Sequence, residues 1–365
     1  MLQSTAIAML VAATACPFCS APQPSLAERR DSADVVLLAE VIREGEEKPT
    51  LRVHRALRGP VPDSAQLSSN ADLGDLAAGQ LLLVFLTTDA KGENLTTIIP
   101  VDETSAIYVA RAPSTKLPEA QRLPYFARYL EHADNLIADD AYAEFGRAPL
   151  EAVRQVVGQV PMSSVRAWLT DDRVPQSRKG LYGLLAGLAV DSEDRRANAE
   201  VLESIIAAPS SDFRAGFDGV LGGYLLLEGK RGLQQLERRY VANVDAPRGD
   251  VLHFLTSLRF YAEYGHEISV PRLARAIRPL LNRPEFAAAV IIDLGRWEDW
   301  DAVSSIATLF DRPGYEDAAI QRAIVGFLLV CPTPEAKTAL AELRQRRPQR
   351  VAELEATALL FTSGR

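Results

Sequence analysis

The residues best suited to chemistry gather around position 297. Asp293, Glu298, Asp299 and Asp301 bring four carboxylates together, and Trp297 and Trp300 stand among them. Paired carboxylates serve as general acid and base on glycosidic bonds, and indole faces take sugars or cations. Trp297, Trp300, Glu298 and Asp301 are therefore the candidate binding residues, and an envelope hydrolase or lyase is one functional alternative. The competing reading is a corner between helices, with Asp299 or Asp301 capping the next helix and the indoles wedged between repeats. No residue earns a catalytic assignment.

The second candidate is Cys16-Pro17-Phe18-Cys19. An apolar run over Met1 to Ala15, closing on Ala13-Thr14-Ala15, is expected to be an export signal, although no Lys or Arg precedes its core. Three fates for Cys16 stay open: acylation at a lipoprotein-like box, a local disulfide to Cys19, or a free thiol. A redox dithiol needs a helix start after a strand, and this pair leads into a Pro-rich tail instead. Cys331 follows an apolar run and is expected to be an inert buried thiol.

Elsewhere the pattern excludes more than it offers. His54, His132, His253 and His266 lack metal-ligand spacing, so no metal and no cofactor is expected. Asp139, Asp140 and Glu144 share a helical face, expected to be solvated. Arg344, Arg346, Arg347 and Arg350 form a basic stretch, expected to be another solvated face. A net charge of −8 argues against nucleic acid as a partner, and nucleophile-elbow, zincin, Walker and dinucleotide motifs are missing.

The elements that position these residues change character along the chain. After a short helix at Ser25 to Ser32, strands are expected at Val35 to Ile42, Leu51 to Ala56, Ala65 to Ser69, Leu81 to Thr87, Leu95 to Val101 and Ala106 to Ala110. The nearly all-apolar run at Leu81 predicts a strand covered on both faces. From Pro118 the period becomes helical, with Asp134 and Ser163 as expected N-caps. Helical pairs then begin near Pro175, Ser211, Pro247, Pro284 and Tyr315, at spacings in the thirties. Gly180, Gly183 and Gly187, and later Gly216, Gly219, Gly222 and Gly223, lie on helical faces, where each glycine costs about 1 kcal/mol. Close helix packing is the expected reason.

The paired cysteines, "ADVVLLAEV", "LRVHRALRG" and "AGQLLLVFL" together resemble the netrin-like barrel shared with tissue inhibitors of metalloproteinases, an OB-type fold. That resemblance implies a closed barrel, and Cys16 as the residue whose amine and carbonyl would chelate a protease zinc. The family spaces its first cysteines one residue apart and ties them to barrel cysteines missing here. The repeat region resembles HEAT-like arrays.

The expected fold is thus α+β: a signal peptide at 1–15, a small antiparallel OB-like barrel at 16–115, a helical adaptor at 116–170 and an all-α HEAT-like solenoid at 171–365. The leading functional expectation is an exported interaction scaffold of the bacterial cell envelope, with protein partners and membrane contact only through an N-terminal lipid. Its alternatives are the carboxylate hydrolase and a metalloprotease-inhibitor-like barrel.

Overall fold

The computed structural model describes residues 18, 23–43, 49–61, 73, 76–88, 94–209 and 214–362. The export run, Cys16, Cys19 and the expected strand at Ala65 to Ser69 lie outside these residues. The protein is α+β, a four-stranded antiparallel sheet followed by a mostly helical region. It divides into two compact units, Met1–Leu181 and Tyr182–Arg365.

Unit 1 opens with α1 (Leu26–Ser32), whose Ser25 and Glu28 form a capping box. Strands β1 (Val35–Ile42), β2 (Thr50–Arg58), β3 (Leu81–Thr88) and β4 (Asn94–Val101) pair in the order β2-β1-β3-β4. Leu37, Ala39 and Val41 alternate along β1 and meet Leu51 of β2 and Leu82 and Val84 of β3 in one core. Leu82, Leu83, Val84 and Phe85 are all buried, so β3 is covered on both faces as its composition predicts.

The expected sixth strand is a helix, and this is a correction. Residues Glu103–Arg111 form α2 because the Asp102 carboxylate accepts from the Ser105 backbone N–H at 2.7 Å, an N-cap that commits the first turn. Ser105, Ala106, Tyr108 and Val109 are then buried together, a helical spacing that the β-branched composition disguised. Next come α3 (Glu119–Phe126), α4 (Asn135–Arg147), α5 (Leu150–Val156), α6 (Met162–Thr170) and α7 (Gln176–Gly187), which runs across the division between units. Asp134 caps α4 as expected, whereas α6 starts one residue before Ser163, with Pro161 at the cap position and no side-chain cap.

Unit 2 continues with α8 (Ser192–Ala207), α9 (Phe217–Leu236), α10 (Arg248–Tyr264), α11 (Val270–Ile277), α12 (Pro284–Arg296), α13 (Val303–Ala307), α14 (Ala318–Val330), α15 (Pro334–Arg346) and α16 (Pro348–Thr362). Gly183, Gly187 and Gly223 do what their cost required, whereas Gly216 caps α9 in the left-handed conformation at φ 77°. A Cβ on Gly183 would stand 2.6 Å from the Val220 backbone, and one on Gly187 2.5 Å from the Gly223 Cα. Backbone sits against backbone there, and no side chain can yield to make room.

Segments about one repeat apart are also joined by hydrogen bonds at a recurrent sequence separation. Arg214 reaches Asp250, 36 residues on, and Arg259 reaches Asp293, 34 on. Arg272 returns to Glu237 across 35, Tyr315 donates to the Leu281 carbonyl across 34, and Arg346 reaches Asp311 across 35. These separations match the repeat spacing in the sequence, so each unit of the pattern bonds to its neighbour. The region is helical and repeat-like.

Candidate polar cleft at a π-helical turn

The tryptophan corner has its carboxylates committed to arginines. Asp293 is fully buried at the end of α12 and takes both Arg259 Nε contacts, at 2.8 and 2.9 Å, with Arg296 at 3.4 Å. Arg278 pairs with Asp299 and also reaches Asp301 at 3.4 Å. Asp299 occupies a cap position without making a side-chain cap bond, because Arg278 holds its carboxylate instead. Trp300 packs edge-on to Phe327 at 5.5 Å, Trp297 is half-buried, and Glu298 is exposed at φ 55°. Three carboxylates, Asp293, Asp299 and Asp301, share three guanidinium groups in a stitched corner that leaves Glu298 outside it, which speaks against the hydrolase alternative. The C-terminal arginines are committed likewise: Arg344 to Glu355, Arg346 and Arg347 to Asp311, and Arg350 to Gln321.

The expected solvated face of α4 is also corrected. Asp139 faces out and pairs with Arg178, but Asp140 and Glu144 are only 6 % and 4 % exposed. Asp140 accepts from the Leu26 backbone N–H at 2.5 Å and from the Tyr108 hydroxyl at 2.7 Å. Glu144 accepts from Ser25 Oγ at 2.5 Å and pairs with buried Arg122. Burial pushes both carboxyls above their ordinary range, against the lowering effect of these donors. Tyr108 is raised too, by burial and then by Asp140. The network pins the start of α1 to α4. Helical spacing put Asp140 and Glu144 on one face, but only packing decided that α1 and α2 cover it.

Open polar chemistry lies in unit 2, where α9 ends. Residues Glu237–Val241 form a π-helical turn, closed by an Ala242 N–H to Glu237 carbonyl bond of 2.9 Å. Such turns insert an extra residue and turn neighbouring side chains to unusual directions, and they recur at functional sites. Beside it lies a cavity of about 370 Å³ whose polar lining is Glu203, Tyr224, Gln235, Arg238, Arg239 and Asn243, over Ile206 and Leu236. A second, of about 260 Å³, shares Arg239 and Asn243 and adds Tyr240 and Asp250.

The polar groups there divide sharply. Tyr224 donates to Gln235, whose Nε2 donates to Glu203 at 3.2 Å, and Asp250 takes a two-pronged contact from Arg214. Burial, with Glu203 and Glu228 nearby, pushes the Tyr224 hydroxyl up to about 12. Tyr240 is fully buried, and its hydroxyl makes no well-formed hydrogen bond among the described residues, although the Arg239 guanidinium lies beside it. His253 Nδ1 stands 3.7 Å from Asp218, and burial lowers the imidazole pKa.

Sequence reasoning missed Arg238, Arg239, Tyr240 and Asn243. Their one signal is adjacent arginines at the end of a long helix, which reads as ordinary complement to the helix dipole.

No protein-family model matches the chain, and no curated protein matches it. A solved structure of human deoxyhypusine hydroxylase in complex with glycerol is similar over 70 % of this chain and 86 % of its own, at 14 % identity and a TM-score of 0.29. The exported-scaffold expectation finds no support in these comparisons and is withdrawn. A TM-score of 0.29 transfers neither a fold nor a hydroxylase activity to this chain. Among the described residues, no helix is long and apolar enough to cross a membrane, and no His, Cys, Asp or Glu group could hold a metal ion.

Proposed function

We propose that the helical region is a receptor for a small polar ligand, seated in the cleft beside the π-helical turn at Glu237–Val241. The observation that carries this reading is the fully buried Tyr240 hydroxyl without a well-formed internal hydrogen bond, in the lining of a cavity that adjoins a larger one. A buried polar group left unpaired costs about 1–3 kcal/mol, so its retention beside an open cavity favours a partner arriving from outside. Cavities of this size and mixed lining suit small molecules.

Two architectural readings belong with it. The hydrogen bonds across 34 to 36 residues support a HEAT-like solenoid, in which each repeat contacts its neighbours. The antiparallel order β2-β1-β3-β4 supports a netrin-like barrel of OB type in unit 1.

The test is a thermal-shift screen of chemically diverse fragments against the full chain and Ala207→Trp. Ala207 is exposed at the rim of the larger cavity, so the indole fills the cleft without entering the core. Fragments that raise the melting temperature of the wild type but not of the variant support the reading. A screen whose hits shift both proteins equally, or that yields no hits, refutes it.

A further inference from the structure

We infer that the ligand of this cleft carries an oxyanion, a carboxylate or a phosphate, on a small apolar body; this rests on the receptor reading above. The argument is an imbalance between donors and acceptors.

Three of the four carboxylate oxygens in the lining are already engaged. One Glu203 oxygen receives Gln235, and both Asp250 oxygens receive Arg214. The donors are not. The Arg238 guanidinium lines the larger cavity and makes no hydrogen bond or ion pair among the described residues. Arg239 gives one well-formed bond, to the Ala207 carbonyl at 3.1 Å, and its guanidinium also lies beside the Tyr240 hydroxyl. Asn243 is oriented by its own turn: Oδ1 accepts from the Asp245 backbone N–H at 3.1 Å, which leaves Nδ2 as the end able to donate to a ligand. The Tyr240 hydroxyl completes the set.

Two guanidinium groups, an amide N–H and a phenol converge on adjoining cavities with Arg239 and Asn243 common to both. A planar guanidinium presents paired N–H groups that match the two oxygens of a carboxylate or phosphate, and such charged bonds are about twice as strong as neutral ones. The Arg239 guanidinium carbon stands 6.0 Å from the centre of the Tyr240 ring, so one small anion can touch both side chains. Ile206 and Leu236 in the lining of the larger cavity offer the apolar contact that a bare inorganic anion would not use. Glu203 at the rim bars a body with further negative charge.

Isothermal titration calorimetry on the full chain tests this with inorganic phosphate, butyrate and tetramethylammonium at matched ionic strength. Saturable binding of phosphate or butyrate and none of tetramethylammonium is expected, and whichever of the two anions binds tighter identifies the head group. Arg239→Gln should weaken that binding at least tenfold, and Tyr240→Phe about threefold while leaving the melting temperature of the unliganded protein in place. Failure of both anions to bind saturably, or undiminished binding by Arg239→Gln, overturns the inference. The two failures separate in the fragment screen: neutral or cationic hits lost in Ala207→Trp leave the receptor intact without the oxyanion, whereas no such hits remove both.

Discussion

The two units contain polar clusters of similar composition and opposite character. In unit 1, Asp140 and Glu144 are buried and engaged by Ser25, the Leu26 N–H, Tyr108 and Arg122, with Arg122 Nε the one atom of these side chains left over among the described residues. In unit 2, Arg238, Arg239, Tyr240 and Asn243 border open volume with donors left over. The first pairs groups from distant parts of the chain, Ser25 with a residue 119 positions away. Its product is a fixed position for α1. The second arises within one stretch where a helix changes its hydrogen-bond register, and its product is a set of donors with room in front of them. Burial of charge marks a joint when the network closes and a site when it does not.

The largest effect that would break this contrast comes from opening the closed network. Arg122→Met leaves Glu144 buried without its counter-charge and should cost about 3–5 kcal/mol in urea unfolding. Adding Glu144→Leu should recover most of that loss, since replacing both partners of a buried pair is close to neutral. A single substitution that costs under about 1 kcal/mol would mean that water already reaches Glu144, and the cluster would then be as open as the cleft.

The pH dependence is the next test. Asp140 and Glu144 hold their protons to higher pH in the folded protein than in the unfolded chain, so the unfolded state loses protons first. Stability is then greatest below the unfolded carboxyl values, about 4, and declines as pH rises through the folded ones. The groups facing Asp140 and Glu144 include Glu28, Arg29, Arg122 and Tyr108. Melting temperatures from pH 5 to 9 should fall more steeply for the wild type than for Asp140→Asn. Parallel slopes would remove the network from the account of acid stability.

The smallest effect sharpens the contrast most directly, because the same substitution is made in each cluster. Tyr108→Phe deletes a donor to a buried carboxyl and should cost about 1.5–3 kcal/mol. Tyr240→Phe deletes a hydroxyl with no well-formed hydrogen bond among the described residues, and should leave stability unchanged or raise it by up to about 1 kcal/mol. Equal losses at both positions would show that Tyr240 is bonded within the protein.

Much of the architecture was legible in residue order. The strand composition of Val35–Ile42, the apolar run at Leu81 to Thr87 and the glycines at Gly183, Gly187 and Gly223 each state a local requirement, and each forms as stated. A pleat, a doubly covered strand and a backbone contact are consequences of near neighbours or of a periodic pattern. The segment at Glu103–Arg111 misled because its β-branched residues suit a strand, and the deciding bond, Asp102 to Ser105, belongs to a single cap.

The sequence determined the α+β order, the helical spacing of the repeats and the cost that forced glycine against glycine, since these follow from periods of two, of 3.6 and of about thirty-five residues. Only the tertiary structure decided which charges were neutralised. Asp299 and Arg278, and Glu144 and Arg122, are remote in sequence, and no period announces them. Whether a carboxylate or guanidinium is a joint or a site depends on what stands opposite it. That partner is chosen by packing between elements, which is why the tryptophan corner looked reactive in one dimension and the π-turn arginines looked ordinary.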